Sequence, residues 1–99
     1  MIRATLTMKV KAGRERDFEQ AWKIVAEHTR LMPGNLRQAL LCDPEDPTLF
    51  VIASDWDCRE SFGRFERSEE QDQLTAPLRA LRESAKMTVY QLVMHVELH

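Results

Sequence analysis

No apolar run in this 99-residue chain is long enough to cross a bilayer, and no block of like charge is long enough to grip a polyanion. Its 14 basic residues are interspersed with 16 acidic ones, for a formal charge of −2. Phosphate-rich partners and membrane surfaces are therefore not expected: no nucleic acid, no membrane. The N-terminus, Met1-Ile2-Arg3-Ala4-Thr5, starts directly in a strand-like pattern without a signal-peptide hydrophobic region. Cysteine is scarce. Cys42 and Cys58 stand apart, with no CxxC spacing and no paired histidine, and read as reduced thiols rather than as a disulfide or a metal site. The length leaves too few residues for a second core. These absences predict a soluble, cytoplasmic protein with a single domain over residues 1–99.

What is present is periodic. From Ile2 to Val10, Ala4, Leu6, Met8 and Val10 alternate with Thr5, Thr7 and Lys9, the pattern of a half-buried strand. After Gly13 the interval lengthens to three and four: Phe18, Ala21, Trp22, Val25, Thr29 and Met32 make one stripe on a helix. Glu15 and Asp17 suit the first turn of that helix, and Pro33-Gly34 stops it. Leu36 to Cys42 read as a second strand and Thr48 to Trp56 as a third. Between them Asp43-Pro44-Glu45-Asp46-Pro47 is a turn too proline-rich for a ladder. A helical region follows from about Arg59 to Ala85, in two pieces. Phe62 and Phe65 anchor the first, and Ser68-Glu69-Glu70-Gln71 fits a capping box that restarts the second. Leu74, Leu78, Leu81 and Ala85 form its stripe, with a bend near Pro77. A last strand is expected from Met87 to Leu98.

Strand, helix, strand, then strand, helix, strand is the split β-α-β-β-α-β of the ferredoxin-like α+β class, a four-stranded antiparallel sheet with its helices on one face. The third strand is apolar both ways. Leu49, Val51 and Ala53 point to one side and Phe50, Ile52 and Trp56 to the other. The last strand is apolar both ways as well. Helices of so short a chain cover only one face, so the other meets a second copy of the protein, sheet against sheet, in a homodimer.

The chain resembles the antibiotic biosynthesis monooxygenase family, the dimeric α+β barrel proteins. The matching residues are Gly13-x-x-x-x-Phe18-x-x-Ala21-Trp22, Pro33-Gly34, Trp56-x-x-x-x-Ser61-Phe62, and then Phe65 and Ser68; their order and spacing hold from about residue 2 to residue 97. The stretches 35–41 and 61–68 are similar to small proteins of aromatic polyketide and spore-pigment clusters of actinomycetes. The resemblance implies a pocket inside each monomer, between sheet and helices. It also implies oxidation of an aromatic polyketide, phenol or anthrone to quinone, by molecular oxygen with no cofactor. Two positions depart from the family. Ile52 stands where an amide is expected and Phe62 where a tyrosine is expected, which favours a non-catalytic polyketide-binding or accessory protein as the alternative. Glu66-Arg67-Ser68-Glu69 lacks the histidine with which haem-degrading relatives hold iron.

Such chemistry needs a flat apolar cleft, a hydrogen-bonding or basic group, and little water. Trp56, Phe62, Phe65 and Trp22 are the candidate substrate-binding residues. Trp56 reads equally as core. His28 and Tyr90 are the candidate catalytic groups; the first also reads as a boundary histidine and the second as a strand tyrosine packed under a helix. His95 reads as an interface or exposed residue, and His99 as a frayed end. Ser54 lacks the glycines of a nucleophile elbow. No metal ligand set is proposed.

Overall fold

The computed structural model describes residues 1–97. Its elements are β1 (Ile2–Val10), α1 (Glu15–Thr29), β2 (Asn35–Asp43), β3 (Asp46–Trp56), α2 (Arg59–Glu66), α3 (Glu69–Leu81) and β4 (Arg82–Gln91). The strands form one antiparallel sheet in the order β2-β3-β1-β4. This is the ferredoxin-like arrangement expected from the element order. Among the described residues no helix is long and apolar enough to cross a membrane. Both cysteines are free and exposed.

Alternation decides which residues meet the helices. Ile2, Ala4, Met8 and Val10 of β1 are buried, and so are Phe50 and Trp56 of β3. Two apolar clusters result. Met8, Val10, Phe18, Val25, Phe50, Leu78 and Leu81 form one, with the Phe18 and Phe50 rings 5.2 Å apart. Ile2, Ala4, Trp56 and Phe62 form the other, beneath α2.

The expected element bounds need four corrections. First, the α1 stripe stops at Thr29, three residues before Met32. Thr29 Oγ1 donates to Val25 O, Leu31 N to His28 O and Met32 N to Thr29 O, a tightened last turn. Pro33 disfavours a helical Met32. Second, the hairpin turn shrinks to Pro44-Glu45, because Asp43 and Asp46 pair. Pro47 lies inside β3 but two residues beyond the last β1 pair, Lys9↔Leu49, so its missing N–H breaks no ladder there. Third, α3 runs unbroken through Pro77 but ends at Leu81 rather than Ala85. The free edge of β1 takes Arg82 to Gln91 as its partner, with Ala85 opposite Met8 and an irregularity at Lys9/Val10. Fourth, the last strand ends at Gln91, opposite Ile2. Past that point β1 offers only Met1 O, which accepts from Leu92 N at 2.9 Å. Val93, Met94 and Val96 are left 90%, 78% and 72% exposed. His95 is half-exposed, its Nε2 3.5 Å from Glu97. Leu98 and His99 lie outside the described residues. Ser68 caps the restarted helix as expected, its Oγ accepting from Gln71 N, but the reciprocal half of a capping box is not formed, since Ser68 N donates to Phe65 O.

The outer face of the sheet is mixed rather than uniformly apolar. Leu41 and Tyr90 are about half exposed on it. Beside them Asp55 is almost fully buried under Arg3, whose Nε and Nη2 donate to its two oxygens at 2.6 and 3.0 Å, and under Arg37 Nε at 3.3 Å. Arg3 holds the Asp55 carboxyl below the usual carboxylate range against the opposing pull of desolvation.

Candidate functional site

A cavity of about 250 Å³ opens between the inner face of the sheet and the helices. Strands supply its floor with Ala4, Leu6, Gln38, Ile52, Ser54 and Met87. Helices supply its walls: Trp22, Val25 and Thr29 from α1, Phe62 and Phe65 from α2, and Gln71, Thr75 and Leu78 from α3. Arg79 and Arg82 complete it at the end of α3.

The candidate residues separate. Trp22, Phe62 and Phe65 line this cavity. Trp56 does not. It is fully buried one layer behind, its ring 5.8 Å from Phe62 and 5.0 Å from Phe65, so of its two readings, pocket wall and core, the indole takes the second. His28 is exposed and faces a smaller depression of about 140 Å³. Val25, Thr29, Phe65 and Gln71 stand between the two spaces and line both. Tyr90 is also displaced from its expected place. It pairs with Arg3, whose side chain lies on the outer face, so Tyr90 points away from the helices and does not pack under one. Ile52 and Phe62 do face the cavity, and both are apolar there.

Two polar groups on the cavity floor are not among the expected site residues: Ser54, discounted as a nucleophile, and Gln38. Ser54 Oγ accepts a 3.0 Å bond from Trp56 Nε1. A hydroxyl that has accepted from an indole keeps its own proton to donate. Gln38 lies directly across the ladder from Ser54. Its Nε2 donates to Ala26 O at 2.7 Å, which anchors the amide to α1 and leaves its Oε1 as an acceptor. A donor and an acceptor thus stand side by side on the floor. The signal for Gln38 was parity: it is in phase with the inward Leu40, but the irregularity between Asn35 and Arg37 hides that phase at the start of β2. Among the residues lining the cavity there is no Asp, Glu, His, Lys or Tyr.

Comparison with known proteins places this geometry. Residues 1–76 match the family model described as antibiotic biosynthesis monooxygenase. Protein SchA of Streptomyces halstedii is 25% identical over 77 residues, 78% of this chain and 20% of its own length. The 42.8 kDa protein in the whiE locus of Streptomyces coelicolor is also 25% identical over 77 residues, covering 78% of this chain and 19% of its own length. The chain therefore spans about one fifth of the length of these curated relatives. Among solved structures, SnoaB, a cofactor-independent oxygenase from Streptomyces nogalater, superposes with a TM-score of 0.87 at 19% identity, over 96% of this chain and 95% of that one. A match over residues 1–76 settles membership: the chain belongs to the antibiotic biosynthesis monooxygenase family.

Proposed function

We propose that the protein is a cofactor-independent monooxygenase that oxidises an aromatic polyketide, phenol or anthrone to quinone, with molecular oxygen. The single observation behind this is the cavity: aromatic walls of Trp22, Phe62 and Phe65 over a floor where a donor, Ser54, and an acceptor, Gln38, stand side by side, in a chain of this family. Its volume is just under the roughly 300–1,000 Å³ of most ligand pockets, which suits a compact fused-ring skeleton.

The chemistry follows from what the walls offer. A phenol lying on the floor is oriented while neutral by donating to Gln38 Oε1; Ser54 O–H, donating to the phenolic oxygen, favours the ionised form, and the proton leaves to solvent. The electron-rich anion reduces oxygen directly. For an anthrone the methylene carbon loses two C–H bonds and gains one C=O bond. One atom of O₂ becomes that carbonyl, and the other leaves as water with the two hydrogens. With no carboxylate or imidazole among the cavity residues, the substrate's own acidity and the apolar lining do most of the work.

Gln71 lines the cavity, and its side chain makes no hydrogen bond among the described residues, so Gln71→Phe plugs the space without removing a structural contact. Oxygen uptake with an anthrone-type phenol should fall by about tenfold or more in that variant, since displacing a bound ring from its reactive geometry costs at least that. His28→Ala, outside this cavity, should leave the rate as it was. Equal rates in the parent and the plugged variant would overturn the assignment of the site.

A non-catalytic polyketide-binding or accessory protein is the second reading, and the apolar Ile52 and Phe62 in the cavity favour it. Ring binding without any oxygen uptake above the protein-free rate identifies that case.

The working form is a homodimer, sheet against sheet. Leu41 and Tyr90 on the outer face and Val93, Met94 and Val96 beyond β4 supply apolar surface for it. Sedimentation at micromolar concentration should give twice the 11.6 kDa of one chain; a single-chain mass would rule the dimer out.

A further inference from the structure

Arg82 is the one charged cavity residue that the proposed chemistry leaves unused and the fold leaves unpaired. It follows α3 directly, opposite the inward-facing Val10, and lines the cavity half-buried. Among the described residues it has no ion-pair partner and its guanidinium makes no hydrogen bond. Arg79, the other cavity arginine, differs: its Nη1 donates to Thr75 Oγ1 at 2.6 Å, its Nη2 to Asp72 O at 2.9 Å, and Asp72 Oδ1 lies 3.4 Å away. Burial, and then the like charge of Arg79, push the Arg82 pKa down; a guanidinium nonetheless stays ionised. Keeping a partly desolvated cation beside another cation is unfavourable, and an anion between them would relieve it. No acidic side chain lines the cavity to do so.

Position separates this charge from the reacting ring. Ser54 pairs with Ala4 and Arg82 with Val10, six residues apart along β1, so the two side chains enter the cavity from opposite ends of the strand. A ring hydroxyl held by Ser54 and Gln38 therefore leaves Arg82 to a substituent at the opposite end of the ligand.

Building on the oxygenase reading of this cavity, we propose that the substrate is an aromatic acid whose carboxylate is bound by Arg82, so that the charge sets which end of the ring system reaches Ser54 and Gln38. Planar, forked guanidinium donors suit a carboxylate in bidentate geometry.

The test uses two probes of equal shape, anthraquinone-2-carboxylate and its carboxamide, with binding followed by quenching of tryptophan fluorescence. The parent protein should bind the acid at least tenfold more tightly than the amide. Arg82→Gln should lose that preference while binding the amide as the parent does, and Arg82→Lys should keep part of it. The urea midpoint of Arg82→Gln should not fall, since no partner is lost. Equal binding of acid and amide by the parent, a preference that survives in Arg82→Gln, or a marked drop in its midpoint overturns the assignment. Amide binding without acid preference leaves the aromatic cavity standing; binding of neither probe removes the cavity's role and this inference together.

Discussion

Truncation of Trp56 to alanine is expected to lower the stability by about 3–5 kcal/mol, the range for emptying a large aromatic site in a packed core. The indole is fully buried and touches both Phe62 and Phe65, so its removal takes away the common neighbour of the aromatic group under α2. Phe62 and Phe65 lie between it and the cavity, and their rings would move into the vacated space. A domain of this size holds about 5–15 kcal/mol in total, so the variant loses a large share of it and its urea midpoint should fall well below the parent's. Urea titration of the parent, Trp56→Ala and Trp56→Phe separates two roles. The phenylalanine variant keeps most of the packing but loses the bond from Nε1 to Ser54 Oγ. It should stay folded with a stability loss of about 1–2 kcal/mol and still show a reduced oxidation rate, because the Ser54 hydroxyl is no longer oriented. A Trp56→Ala variant as stable as the parent would show that the indole is not core.

Gly34→Ala is expected to cost about 2–4 kcal/mol, combining a left-handed backbone with overpacking. Gly34 has φ +90°. A Cβ there would fall inside contact distance of Ser61 Oγ and Cβ and of Asp57 Oδ1. Gly34 O also accepts from Asp57 N at 2.9 Å, so this glycine seats the entry to β2 against the start of α2. The flanking residues cannot retreat freely: Ser61 is buried, and α2 carries Phe62 into the second cluster. Gly13 offers the control. Its φ is +85°, but a Cβ there meets nothing within 4 Å, so Gly13→Ala should cost the backbone contribution alone. A urea midpoint for Gly34→Ala no lower than that of Gly13→Ala would show that the close approach does not matter.

The fold was legible where alternation and spacing were strong. The alternating residues of β1 and the two-faced run from Leu49 to Trp56 point in the directions expected of them. The boundary between α3 and β4 was not legible, because Ala85 continues the interval of Leu74, Leu78 and Leu81 as well as it faces Met8 across a ladder. Only the free edge of β1 decides between them, and that is a tertiary fact. The site was less legible for the same kind of reason. Residue type marked Phe62 and Phe65, which line the cavity, and equally marked Trp56, whose depth depends on the rings in front of it. Tyr90 was misplaced because the parity of β4 is set by its register with Arg3 and not by its own sequence. His28 drew attention as a titratable group, yet it is exposed and lies outside the main cavity, while the groups that reach in are the less conspicuous Gln38 and Ser54.

Oxidation of an anthrone-type phenol under ¹⁸O₂, with the purified protein and a chelator, tests the central claim most directly. The expected result is oxygen consumption well above the protein-free rate, one labelled atom in the new quinone carbonyl, and no loss of rate on chelation. Consumption no faster than the protein-free rate, or a quinone without label, would contradict it.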